Sequence, residues 1–166
     1  MKAILNRRSI RKYTDQPVPE RLLIELLEAA MCAPSAGNEQ PWQFVVIDQR
    51  GILDEIPKFH PYAAMVAEAP VAILVCGDLD KDLHRGYWVQ DCAAATENIL
   101  IAVQDKGIGA VWVGVYPRED RVQAMRALLG IPDSVVPFAL ISLGYPAEEK
   151  PPANRFDAGR IHYNGW

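Results

Sequence analysis

The segment from Gly86 to Lys106 limits what this chain can fold into more than any other stretch. It reads as one long helix in which only Asp91 and Glu97 carry charge before the last turn, and small residues fill Cys92 to Thr96. A helix that is apolar around most of its circumference has to be buried on more than one side. A chain of 166 residues can hardly wrap such a helix alone, so a partner subunit is expected against it. A membrane is the other apolar environment to consider. The longest candidate span, Tyr87 to Val103, is interrupted by Asp91 and Glu97, and Met1 to Arg8 holds no apolar run of signal-peptide length. A soluble, cytoplasmic protein with no membrane partner is the expectation.

The rest of the chain reads as one domain over residues 1–166, because no repeat, low-complexity run or Ser/Gly linker divides it. Half the residues are hydrophobic, so a substantial core is available. The net charge of -4 gives no footprint for nucleic acid, so any basic feature must be local. Three widely spaced cysteines, Cys32, Cys76 and Cys92, make no disulfide framework and read as small buried hydrophobes. Prolines punctuate the elements. Residues 19–32 form an amphipathic helix with Leu22, Leu23, Leu26, Leu27 and Ala30 on one face. Strands are expected at Trp42–Asp48, Val71–Cys76, Ala110–Val115 and Pro137–Gly144, and short helices around Ile52–Ile56 and Ala63–Glu68. A further helix spans Arg118–Leu129, with Gly130 as its stop. Helices therefore alternate with strands, as in a sheet layered with helices. The tail from Tyr145 carries Phe156, Ile161, Tyr163 and Trp166 without periodicity, a pattern that docks on its own domain or on a neighbour.

Two clusters carry chemistry. Arg7, Arg8, Ser9, Arg11 and Lys12 crowd into six positions of an otherwise acidic protein. Guanidinium forks and a hydroxyl suit a phosphate; a solvated basic turn is the alternative. The second cluster, Ala33-Pro34-Ser35-Ala36-Gly37-Asn38-Glu39-Gln40-Pro41-Trp42, joins a helix to a strand. Its small residues would let the backbone approach a flat ligand and its amides would supply hydrogen bonds, although an ordinary loop has the same composition.

Together with Glu97-Asn98-Ile99-Leu100, the run Gly107 to Gly114 and the run Val136 to Pro146, these clusters follow one another in an order that resembles the FMN-dependent nitroreductase family. The resemblance spans nearly the whole chain. It implies an α+β fold with a central, mixed but mostly antiparallel sheet in a three-layer arrangement with helices. It also implies an intertwined homodimer with two FMN sites at its interface. Arg7, Arg8 and Ser9 would hold the phosphate and ribityl chain, with Arg11 nearer the isoalloxazine ring. Pro34, Ser35, Ala36 and Asn38 would reach the flavin from the other subunit, and Trp112, Val113 and Gly114 would face the ring. Arg155 would be a second phosphate arginine, with Arg160 as its rival.

The resemblance implies hydride or electron transfer from NADH or NADPH, through FMN, to a nitroaromatic, quinone or flavin by ping-pong turnover. No protein side chain is expected to be catalytic, because the flavin supplies the chemistry. Reductive dehalogenation, oxygen-dependent flavin breakdown, flavin storage and a flavin-free phosphate-binding domain are the alternatives. Residues 52–70 and 78–88 would cover the substrate, with Phe59, His60, Tyr62 and His84 as pocket-lining candidates. The three histidines, His60, His84 and His162, lack metal-ligand spacing, and Asp78 to Asp82 lacks the glycine and closing glutamate of a calcium loop.

Overall fold

A computed structural model describes residues 1–166. Its helices are α1 (Lys2–Asn6), α2 (Glu20–Met31), α3 (Arg50–Phe59), α4 (Trp88–Asp105) and α5 (Glu119–Leu129). Its strands are β1 (Trp42–Ile47), β2 (Val71–Asp78), β3 (Gly109–Gly114) and β4 (Val135–Gly144). They form one sheet in the order β1-β2-β4-β3, and every neighbouring pair is antiparallel. The one parallel pairing is a single bridge from Ser9 to Ala110, outside the named strands.

The central strands are buried on both faces, which is why β2 reads as a continuous apolar run rather than an alternating one. Their side chains alternate between two cores. Ile73, Val75 and Ile141 point into the first with Leu26, Trp88, Ile99 and Phe138, under α2 and α4. Leu74, Val111, Val113 and Leu140 point into the second with Leu53, Ile56 and Met125, under α3 and α5. Helices on both faces of one sheet give the three layers expected.

Helix α4 lies against the sheet on one side and α2 on another, where the Asn98 Nδ2 donates to the Ala29 carbonyl at 3.0 Å. Between Asp91 and Gln104 no residue is fully exposed, and Ala93, Ala94, Ile101 and Ala102 are half-buried. The α5 helix stops at Gly130, whose φ of 63° is the left-handed conformation that glycine takes without strain.

Three features differ from the sequence expectation. Helix α3 continues through Pro57 to Phe59, although proline removes one helical donor, because the burial of Leu53 and Ile56 holds the helix against the sheet. Helix α1 was not foreseen, since its five residues bury nothing and leave no periodic signal. Cys32 is exposed, while Cys76 and Cys92 are buried as expected. The tail from Glu149 onward is exposed throughout this chain, Trp166 entirely so.

Candidate active site

The basic arm before α2 is fixed to the sheet at its base. Ile10 N–H donates to the Ala110 carbonyl at 2.9 Å, and Ile10 packs so closely that a Cβ on Gly109 would sit 2.6 Å from it. The buried Tyr13 hydroxyl lies 2.8 Å from the Ile10 carbonyl, 3.0 Å from the Ser142 carbonyl and 2.6 Å from Ser142 Oγ. Burial pushes its pKa up to about 12. The start of the tail runs alongside the arm: Arg11 N–H donates to Glu148 Oε1 at 2.6 Å, and Lys150 Nζ donates to the Ser9 carbonyl at 2.7 Å.

Arg7, Arg8 and Arg155 meet in one cleft of about 360 Å³, with Glu97 of α4 as its only carboxylate. Arg7 pairs with Glu97 at 3.4 Å. Arg8 is more occupied, for Nε donates to the Pro151 carbonyl at 2.8 Å and Nη1 to the carbonyls of Leu5 at 2.9 Å and Arg7 at 2.6 Å. It staples the arm to the tail as well as lining the cleft. Arg160 is turned to Asp157, 3.2 Å away, and does not line this cleft.

A second cleft, of about 370 Å³, opens along the free edge of β3 and is lined by Arg11, Trp112, Val113 and Gly114. Because Ala110 turns its carbonyl outward to Ile10, the two-residue period puts the backbone groups of Trp112 and Gly114 on the same open edge. The Gly114 carbonyl accepts from Arg121 Nη1 at 3.0 Å and lies 2.9 Å from His60 Nε2. His60 Nδ1 accepts the Tyr62 N–H at 3.3 Å, so the ring hydrogen sits on Nε2 and is donated to Gly114. His60 is buried rather than on the surface, and burial lowers its pKa below the ordinary histidine value. Arg121 lines the same cleft and was not foreseen. The readable signal was a cation in the first turn of a helix, where the dipole disfavours it.

The loop before β1 is shaped by backbone strain. Gly37, Asn38 and Gln40 have φ of 54°, 57° and 51°, and such left-handed positions cluster where a loop is functional. At Gly37 the left-handed φ is the conformation that glycine takes without strain, and the exposed His84 ring lies against its open face. Gln40 N–H donates to Ser35 Oγ at 3.0 Å, and Gln40 Nε2 donates to Asn38 Oδ1 at 3.0 Å. Ala36 N–H donates to Asp91 Oδ1 at 3.1 Å, and Pro34 precedes this turn. Burial raises the Asp91 pKa, an effect that the Ala36 N–H partly offsets. Asp91 opens α4, so the loop sits at one end of that helix and the arginine cleft, at Glu97, further along it. Within one chain the structure therefore brings Arg7, Arg8 and Arg155 together and Arg11 to Trp112–Gly114, but it does not bring the Pro34–Asn38 loop into either cleft.

An antiparallel sheet between two helical layers, with a basic N-terminal arm laid along an edge strand, defines the class as the three-layer α+β nitroreductases. The chain belongs to the nitroreductase family, whose model matches residues 4–145. It is 54% identical, over 100% of its length and 87% of the relative's, to a Methanothermobacter thermautotrophicus protein provisionally named an NADH dehydrogenase/NAD(P)H nitroreductase. Its fold matches the crystal structure of a Parabacteroides distasonis protein of the same provisional name. The TM-score is 0.96 at 41% identity, covering 99% of this chain and 97% of that one. A Desulfovibrio desulfuricans protein, provisionally a nitroreductase and crystallised in complex with FMN, matches with a TM-score of 0.85 at 31% identity, covering 99% of this chain and 96% of that one.

Proposed function

We propose that the chain is an FMN-dependent oxidoreductase that moves hydride or electrons from NADH or NADPH to a nitroaromatic, quinone or flavin acceptor. Residues 1–166 act as a single domain in a cytoplasmic, intertwined homodimer with two FMN sites at its interface. One observation carries the reading: three arginines share a cleft with a single carboxylate, and Ser9 and Ile10 link it to a second cleft beside β3. That donor set suits a phosphate, through charge-assisted and forked hydrogen bonds. The neighbouring cleft, with the Trp112 edge and the Arg11 guanidinium, suits a flat ring that takes on negative charge. Bound FMN would supply the hydride-accepting and hydride-donating centre.

This chain's residues would bind and orient. Arg7, Arg8, Ser9 and Arg155 take the phosphate end, and Arg11, Trp112, Val113 and Gly114 take the ring end. Pro34, Ser35, Ala36 and Asn38 close the site from the second subunit. Supporting the dimer, Glu97 lies roughly 9 Å along α4 from Asp91, and the loop lines neither cleft within one chain. Ile4, Leu5, Phe156 and Tyr163 are exposed beside that cleft or on the tail, as surface awaiting a partner would be.

The test is the visible spectrum of the gently purified protein, followed by anaerobic NADH or NADPH. A flavin spectrum that bleaches, and recovers with an acceptor, is the expected result. A colourless protein that also fails to bind added FMN would remove the reading.

A further inference from the structure

The β3-edge cleft contains a second guanidinium that the flavin reading does not use. Arg121 reaches it from the first turn of α5, and neither wall of the cleft carries a carboxylate. Its Nη1 is tied to the Gly114 carbonyl, and its carbon centre stands 5.5 Å from the Tyr62 ring centroid, as a cation over an aromatic face. Its Nε is buried and has no hydrogen-bond partner. A buried donor left unpaired is costly, and a guanidinium held by a carbonyl and a ring still has charge to offer. His60 donates to the same carbonyl and accepts the Tyr62 N–H, so Arg121, Tyr62 and the end of β3 are held in one arrangement. Tyr62 is 71% exposed, forming the outer wall.

We propose that Arg121 is a specificity-determining residue: the molecule that docks beside the flavin is a planar one bearing an anionic group, which Arg121 recognises. The inference rests on the flavin reading only in naming what lies next to the ligand. An anionic group could belong to the acceptor, as a carboxylate, or to the reductant, as a dinucleotide phosphate.

Two matched pairs separate these sources. In the first, 4-nitrobenzoate and neutral 4-nitrobenzyl alcohol are titrated into the oxidised protein without reductant. Quenching of tryptophan fluorescence is followed, since Trp112 lines the cleft. The expected result is binding of the carboxylate roughly 10-fold tighter or more, a ratio that falls close to one in Arg121→Gln and partly survives in Arg121→Lys. In the second, flavin bleaching by NADH is compared with bleaching by phosphate-free 1-benzyl-1,4-dihydronicotinamide. A ratio lost in Arg121→Gln here alone assigns the anion to the dinucleotide. If neither ratio depends on Arg121, the proposal is overturned. Should Arg121→Gln fail to fold, Arg121→Lys and the salt dependence of the wild-type ratios distinguish the same outcomes, because a charge-based preference weakens with salt. A protein that never bleaches, yet prefers 4-nitrobenzoate through Arg121, would defeat the oxidoreductase reading and leave this one standing.

Discussion

At one edge of the sheet β1 runs beside α2, above a groove of about 540 Å³ walled by Pro17, Val18, Ile24, Val46 and Pro70. At the other edge β3 faces a smaller cleft of about 370 Å³ that holds Arg11, Arg121 and the buried His60. Glu20 and Asp48 are the only charged groups at the β1 groove, and no forked donor faces it. Size alone would direct attention to the wrong edge. Two guanidinium groups converging without a carboxylate, and a carbonyl shared by Arg121 and His60, mark the β3 edge, because like charges brought together are costly without an anion to meet them. The β1 groove is lined mostly by apolar side chains, with two carboxylates and no cation among them.

The difference between the edges can be broken most severely at Gly109. Replacing it with valine forces Ile10 away from β3, at a cost of about 1–3 kcal/mol by overpacking, and lifts the arginine arm. The expected outcome is loss of FMN retention together with a lower denaturant midpoint. Next, Arg7→Ala should weaken FMN by about 1.5–3 kcal/mol, the worth of a hydrogen bond to a charged group, while Ile24→Gln at the other edge leaves it unchanged. Fluorescence titration of the flavin-free protein measures both.

The pH dependence is smaller. His60 stays neutral in the fold because its pKa is lowered, so below about pH 6.5 the unfolded chain binds the extra proton first. Stability then falls as pH drops from that value to the lowered pKa of His60, at no more than about 1.4 kcal/mol per pH unit. His60→Gln should flatten this stretch of the urea-unfolding profile. The smallest effect is expected from Val46→Thr on the β1 edge, within about 0.5 kcal/mol, since Val46 is partly exposed and close to no donor. A large loss there would mean that the β1 groove has an occupant of its own.

Much of the fold was legible because burial leaves a pattern. Both central strands read as apolar runs, and α4 betrayed its burial by lacking a polar face. The four strands and the long helices fell within a few residues of their expected bounds. Helix α1 and the last turn of α3 were not legible: one buries nothing, and the other persists through Pro57 only because the sheet holds it. The arginine cleft was legible as a motif, since Arg7, Arg8 and Arg155 do share a space. The double role of Arg8 was not, because three carbonyl contacts leave no trace in residue type. Arg121 lies 110 positions from Arg11 and meets it only through the sheet, so spacing could not reveal it.

The Tyr13 hydroxyl, held among three oxygens of the arm and of β4, divides the first thirteen residues into two objects that live on different clocks. The amide of Ile10 is bound to β3 next to this anchor, and its exchange with solvent deuterium should wait for the sheet itself to open. The amides of α1 precede the anchor, bury nothing and should exchange in fraying events that leave the sheet untouched. A protease cutting within α1 would therefore need only local fraying of this chain, while the same intrusion at Ile10 would have to open the sheet first.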